Sequence, residues 1–140
     1  MAARKAIATP LAPAAVGPYA QANVAGGFVF TAGQIGLDPA TGQLVEGGVA
    51  AQTTQALANL RAILAAAGCG LEDVVKVTLY LADMSDFAAA NKVYAEHFEE
   101  PYPARAAASC PMLPMGGLVE LDAVAVLPVG ERRDPESRTR

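Results

Sequence analysis

Three stretches of this chain, residues 28–31, 74–81 and 118–126, are apolar on both parities of a two-residue period. Successive side chains of a strand point to opposite faces, so each stretch presents apolar surface above and below its sheet. Only two helices are on offer to cover that surface. The first runs from Val49 to Ala67, with Leu57, Leu60, Ile63 and Leu64 along one stripe and Gly68 as its stop. The second starts from a cap at Asp83 or Ser85 and runs to about Phe98, with Phe87, Asn91, Tyr94 and Phe98 in line. Two helices cover one face of a five- or six-stranded sheet, and the other face calls for a second copy of the chain. The expectation is a single-domain α+β fold, a mixed sheet with two helices on one face, in a homo-oligomer.

The other elements are shorter. Gln21–Val24 and Phe28–Thr31 flank Ala25-Gly26-Gly27 and read as a hairpin. Residues 36–48, with Asp38-Pro39, Thr41-Gly42 and Gly47-Gly48, read as a loop or short ribbon. Val74–Leu81 is a strand with Val75, Val77, Leu79 and Leu81 on one face. Ala106–Pro111 and Leu118–Val126 are strands joined through Leu113-Pro114-Met115-Gly116-Gly117. Residues 1–130 form the domain, and 131–140 a charged, disordered tail.

Composition narrows the function classes. Of 140 residues 53% are hydrophobic, yet no apolar run reaches the ~18–20 residues that span a bilayer. Met1-Ala-Ala-Arg-Lys has no hydrophobic stretch behind its charges, so it does not read as a secretory signal. Cys69 and Cys110 show no metal or redox spacing, which points to a reducing cytoplasm. Cys69 reads as a small filler at a helix end and Cys110 as a buried thiol in the strand that follows Arg105. The net charge is −4, and four of the ten basic residues lie after Gly130. A nucleic-acid footprint needs clustered Lys and Arg, and the folded part has no such cluster.

Between Ala6 and Gly130 the basic residues are Arg61, Lys76, Lys92 and Arg105. Arg105 follows Pro101-Tyr102-Pro103-Ala104, precedes three alanines, and meets no acidic residue along the chain before Glu120. Burying an unpaired guanidinium is costly, so a small carboxylate is a fitting partner. Two plainer readings stand beside it: a stem lying over apolar surface, or a structural pair with Asp122. Glu120 shares a strand face with Leu118, Asp122, Val124 and Val126. Desolvation there raises its pKa and suits it to proton transfer, unless that face turns outward and both acids are solvated.

Tyr19, in Gly17-Pro18-Tyr19, offers a hydroxyl from a rigid turn or is an ordinary half-buried tyrosine. Gly33 permits close backbone approach to a ligand or is a turn glycine. Asn91 on the apolar stripe reads as a buried amide tying down a loop. His97, the only histidine, sits near a helix C-terminus with no catalytic or metal constellation around it.

Taken in order, five segments resemble the RidA/YjgF family of enamine/imine deaminases. They are Ala15 to Ala22 (Ala-Val-Gly-Pro-Tyr-Ala-Gln-Ala), Thr31-Ala32-Gly33-Gln34-Ile35, Asp86-Phe87 through Asn91 to Tyr94, Pro103-Ala104-Arg105, and Leu113-Pro114-Met115-Gly116 with Val119 to Ala125. The resemblance covers residues 7 to 127. It implies a chorismate-mutase-like α+β fold, a homotrimer around a central barrel, and ligand clefts between subunits. It also implies hydrolysis of reactive 2-imino acids such as 2-iminopropionate, the tautomer of 2-aminoacrylate, to 2-keto acids and ammonia without a cofactor or metal. Arg105 would hold the substrate carboxylate bidentately and Glu120 would activate the water, while Tyr19, Gly33, Asn91 and Ala107 would line the pocket. Ala20, Ala32 and Ala107 stand where many members carry Ser, Ser and Cys. Two other functions are a non-catalytic carboxylate-binding trimer and an endoribonuclease. A base at Glu120 argues against the first, and the acidic, basic-poor folded region against the second.

Overall fold

The computed structural model describes residues 3–128, so the expected tail at 131–140 lies outside the described residues. The order is β1 (Lys5–Ile7), β2 (Ala22–Ala25), β3 (Phe28–Thr31), β4 (Gln34–Ile35), β5 (Leu37–Asp38), β6 (Gln43–Leu44), α1 (Gly48–Ala66), β7 (Val74–Leu81), α2 (Phe87–His97), β8 (Ala104–Ser109) and β9 (Val119–Val126). Seven strands make one mixed sheet in the lateral order β1-β2-β3-β9-β7-β8. β3 and β4 follow one another along the same edge of β9, so the sheet is six strands wide. Only β7 and β8 run parallel; β5 and β6 form a separate ribbon within residues 36–48.

Both helices lie on one face. Leu57, Leu60, Ile63 and Leu64 of α1 are fully buried against Val29, Val77, Leu79, Leu121 and Ala125. α1 ends in a Schellman motif: the N–H of Cys69 reaches the Leu64 carbonyl, the N–H of Gly68 reaches Ala65, and Gly68 takes φ 90°. Cys69 is buried there. The opposite sheet face is bare, and Phe28, Phe30 and Val126 are about two-fifths exposed on it.

The structure corrects several local expectations. Val75 leaves the core face, because a bulge between Val74 and Lys76 turns it outward and buries Val74 instead. Gln21 falls outside β2; its buried amide joins the N-terminal strap, bonding Thr9, Ala12 and Pro13. β8 begins at Ala104, since its parallel register with β7 starts at Lys76↔Ala104. Cys110 therefore lies beyond the strand and is half-buried rather than buried. Asp83 does cap, accepting the Ser85 N–H, but it caps the short 3-10 turn that leads into α2. The short β1 was not anticipated. Among the described residues no helix is long and apolar enough to cross a membrane.

Candidate active site

Arg105 is the second residue of β8, the exposed edge strand beside β7. It pairs with Val77, which pairs in turn with Ala123. Residues paired across a sheet share a face, and Val77 and Ala123 face the helices, so Arg105 does too. There its Nη1 donates to Oδ1 of Asn91 at 2.7 Å. Its Cζ lies 4.7 Å from the Tyr94 ring centroid and 5.4 Å from that of Phe87. Asn91 therefore does not tie down a loop as expected; it holds Arg105. A recess of about 400 Å³ opens beside the guanidinium, lined by Asn91, Tyr94, Ala95, Tyr102, Pro103 and Arg105. Ala107 lies two residues further along β8, level with Leu79 on the same face.

Glu120 is on the other side. It is the second residue of β9, between Tyr80 of β7 and Ile35 of β4, and it points to the bare face. It shares that face with Asp122, as expected from the sequence, but the face is the one the helices leave open. Half-burial raises the Glu120 pKa, and repulsion from Asp122 adds to the rise. Burial raises Asp122 as well, and a hydrogen bond with Thr78 partly offsets it. Gly33 is the floor under Glu120: a Cβ there would stand 2.7 Å from Oε2 and 2.8 Å from Cδ. A side chain at 33 and the present pose of Glu120 are incompatible.

Arg105 and Glu120 are thus separate in one chain. They are two strands apart across the sheet and three residues apart along it, about 14 Å between backbones at ordinary strand spacings. Neither pairs with the other, and Arg105 does not pair with Asp122. Tyr19 joins neither: its hydroxyl accepts the Val16 N–H at 3.3 Å within its own loop. His97 spends its Nδ1 on the Val93 carbonyl. Among the described residues no group of three or more His, Cys, Asp or Glu is placed to hold a metal ion. Another recess, about 490 Å³ between the ends of α1 and α2, is lined by His97 but by none of Arg105, Glu120, Tyr19, Gly33, Asn91 or Ala107.

The sequence reading missed Phe87 and Tyr94 as partners of Arg105. Their signal was present, since Phe87, Asn91 and Tyr94 share one helical stripe, but the stripe alone reads as core. It also missed Gln52, whose Oε1 accepts the Leu118 N–H and anchors the segment entering β9.

Comparison with known proteins agrees with this architecture. The family model described as Endoribonuclease L-PSP matches residues 9–127. A Bos taurus protein named 2-iminobutanoate/2-iminopropanoate deaminase is 52% identical over 123 residues, 88% of this chain and 90% of its own length. RidA from an Antarctic Psychrobacter is 47% identical, with a TM-score of 0.84 over 88% of this chain and 99% of its own. The E. coli protein TdcF, solved with bound serine, is 40% identical, with a TM-score of 0.82 over 87% and 98%.

Proposed function

Because this chain belongs to the Endoribonuclease L-PSP family, which includes RidA and YjgF, we propose that it is a hydrolytic deaminase of 2-imino acids. It converts 2-enamine and 2-imino acids such as 2-iminopropionate to 2-keto acids and ammonia. The observation that carries this reading is Arg105, a guanidinium held by an amide and two rings with no carboxylate among those partners, in a chain half identical to a named deaminase.

Arg105 grips the substrate carboxylate with a fork that a lysine lacks. Glu120 takes a proton from water as the water oxygen bonds to the C=N carbon. It returns that proton to the nitrogen, giving a carbinolamine, and then carries the carbinolamine's hydroxyl proton to the same nitrogen as the C–N bond breaks, the C=O bond forms and ammonia leaves. Its raised pKa makes the ionised Glu120 a stronger proton acceptor than an ordinary surface carboxylate. Gly33 leaves the space that Glu120 occupies, Ala107 and Asn91 flank the carboxylate site, and Tyr19, which joins neither group within one chain, would close it from the loop of a neighbouring subunit. No cofactor enters the reaction.

Two groups on opposite faces of one sheet serve one substrate only when a neighbouring chain supplies the second. We therefore assign a homotrimer with its bare sheet faces around a central barrel and its clefts between subunits, acting in the cytoplasm. The bare face with Phe28, Phe30 and Val126 supports that assembly. The family description names an endoribonuclease, but the basic-poor folded region disfavours RNA as substrate. The test is release of pyruvate or 2-ketobutyrate from imines generated in situ by an amino-acid oxidase, corrected for spontaneous hydrolysis. A keto-acid release rate no faster with the protein than without it overturns the reading.

A further inference from the structure

The partners of Arg105 are chemically unusual for a guanidinium: one neutral amide and two aromatic rings, with none of its contacts a carboxylate. All three sit on one stripe of α2, at 87, 91 and 94, laid over the edge strand that carries Arg105. Both rings are within the ~6 Å at which a cation is drawn to a π face. Tyr94 is itself buried and stacked on Phe98, centroids 4.5 Å apart, so its plane is fixed by the core. Its hydroxyl, alone among buried side-chain polar atoms of the described residues, has no hydrogen-bond partner. It is the Tyr94 ring that faces Arg105.

We propose that Phe87, Asn91 and Tyr94 form a neutral clamp that fixes the plane of the Arg105 guanidinium while leaving its charge whole for a small 2-keto or 2-imino monocarboxylate. The inference rests on Arg105 as the carboxylate holder and makes Phe87 and Tyr94 positioning residues. An acidic partner would fix the side chain equally well, but it would also compete with the ligand for the same charge and the same N–H donors. An amide takes one Nη1 hydrogen and the rings take none, so the other donors remain free. Arg105 is exposed on an edge strand, where an unheld side chain would sample many rotamers and lose that freedom on binding. The clamp removes that loss beforehand.

Because the clamp serves ground state and transition state alike, its removal raises KM and leaves kcat nearly unchanged. The test is calorimetric titration of the whole protein with 2-oxobutanoate, alongside imine turnover. Asn91→Asp keeps the acceptor and adds a charge, and is expected to weaken 2-oxobutanoate at least ~10-fold and raise KM similarly. Tyr94→Leu weakens it about 10-fold, and Tyr94→Phe, which keeps the ring, restores it. Should Tyr94→Leu fail to fold, Phe87→Leu reads the second, half-buried ring.

Wild-type affinity in Asn91→Asp overturns the clamp. So does a Tyr94→Phe variant as weak as Tyr94→Leu, and so does a wild-type protein that does not bind 2-oxobutanoate or binds it equally well after Arg105→Ala. Clamp-dependent binding without imine turnover keeps the inference and removes the deaminase reading; turnover with affinities indifferent to these variants does the reverse.

Discussion

Arg105 and Glu120 leave their sheet on opposite faces, Arg105 level with Val77 and towards α2, Glu120 level with Tyr80 and away from both helices. No side-chain rotation brings them to one ligand, because the sheet itself lies between. Either one of them is idle or each works with a partner from another chain.

Subunit mixing separates these outcomes. Arg105→Ala alone should lower kcat/KM at least ~10²-fold, with little recovery in Arg105→Lys, and Glu120→Gln should lower kcat roughly 10²–10³-fold. Coexpression of the two dead chains should restore about a quarter of the sites, those in which an intact arginine of one chain meets an intact glutamate of its neighbour. Recovery is read as keto-acid release per chain. Coexpressed chains that stay inactive, though assembled, would sink the shared cleft.

Gly33→Ala tests the seat of Glu120. The added methyl would stand 2.7 Å from Oε2 of Glu120, so the carboxylate must move. The backbone at 33 is not in the left-handed region, which leaves the fold unstrained. We expect kcat to fall at least ~10-fold with the thermal midpoint shifted by no more than a few degrees. Unchanged turnover would mean that the present pose of Glu120 is not the working one.

The pH dependence follows from Asp122. As the proposed base Glu120 would work only when ionised, so activity should fall as pH drops through its raised pKa. Asp122→Asn removes the repulsion that contributes to that rise, and the acid limb of the kcat/KM profile should move to lower pH. Stability moves the opposite way to the common carboxylate case. Both groups bind protons more tightly folded than unfolded, so their contribution to stability is fully present below the ordinary carboxylate range and is lost as pH rises through the raised values. At neutral pH, Asp122→Asn should therefore melt higher than the parent. An acid limb that stays in place assigns it to another group.

Gln21→Leu should loosen the N-terminal strap. The amide accepts the Thr9 N–H and donates to the carbonyls of Thr9, Ala12 and Pro13 while nearly fully buried. Leucine fills the volume but leaves those groups unmatched, at a cost of about 2–3 kcal/mol. Denaturant unfolding with an unchanged slope and a lower midpoint is the expected record; a parent-like midpoint would mean that solvent satisfies the strap.

The helices and the apolar strands were legible because their periodicities are local: Leu57, Leu60, Ile63 and Leu64 announce a buried stripe wherever the helix docks. The bare sheet face was legible for the same reason, as Phe28 and Phe30 alternate with the buried Val29. What could not be read was anything fixed by register between distant segments. Arg105 lies opposite Val77 and Glu120 opposite Tyr80 only because β8, β7 and β9 pair as they do, and a shift of one residue would reverse either face. The bulge that turns Val75 outward is equally invisible in a run of β-branched residues. Phe87 and Tyr94 carried a core signature that also fits a cation's cradle, and only the position of β8 decides between them.

β8 is paired on one side only, all six of its residues are exposed, and Arg105 rides on it. In the assembly proposed here, a newly made chain that has not met its neighbours displays an adhesive strand edge and half a cleft. Assembly completes the cleft, so readiness for chemistry arrives only with the neighbouring chain.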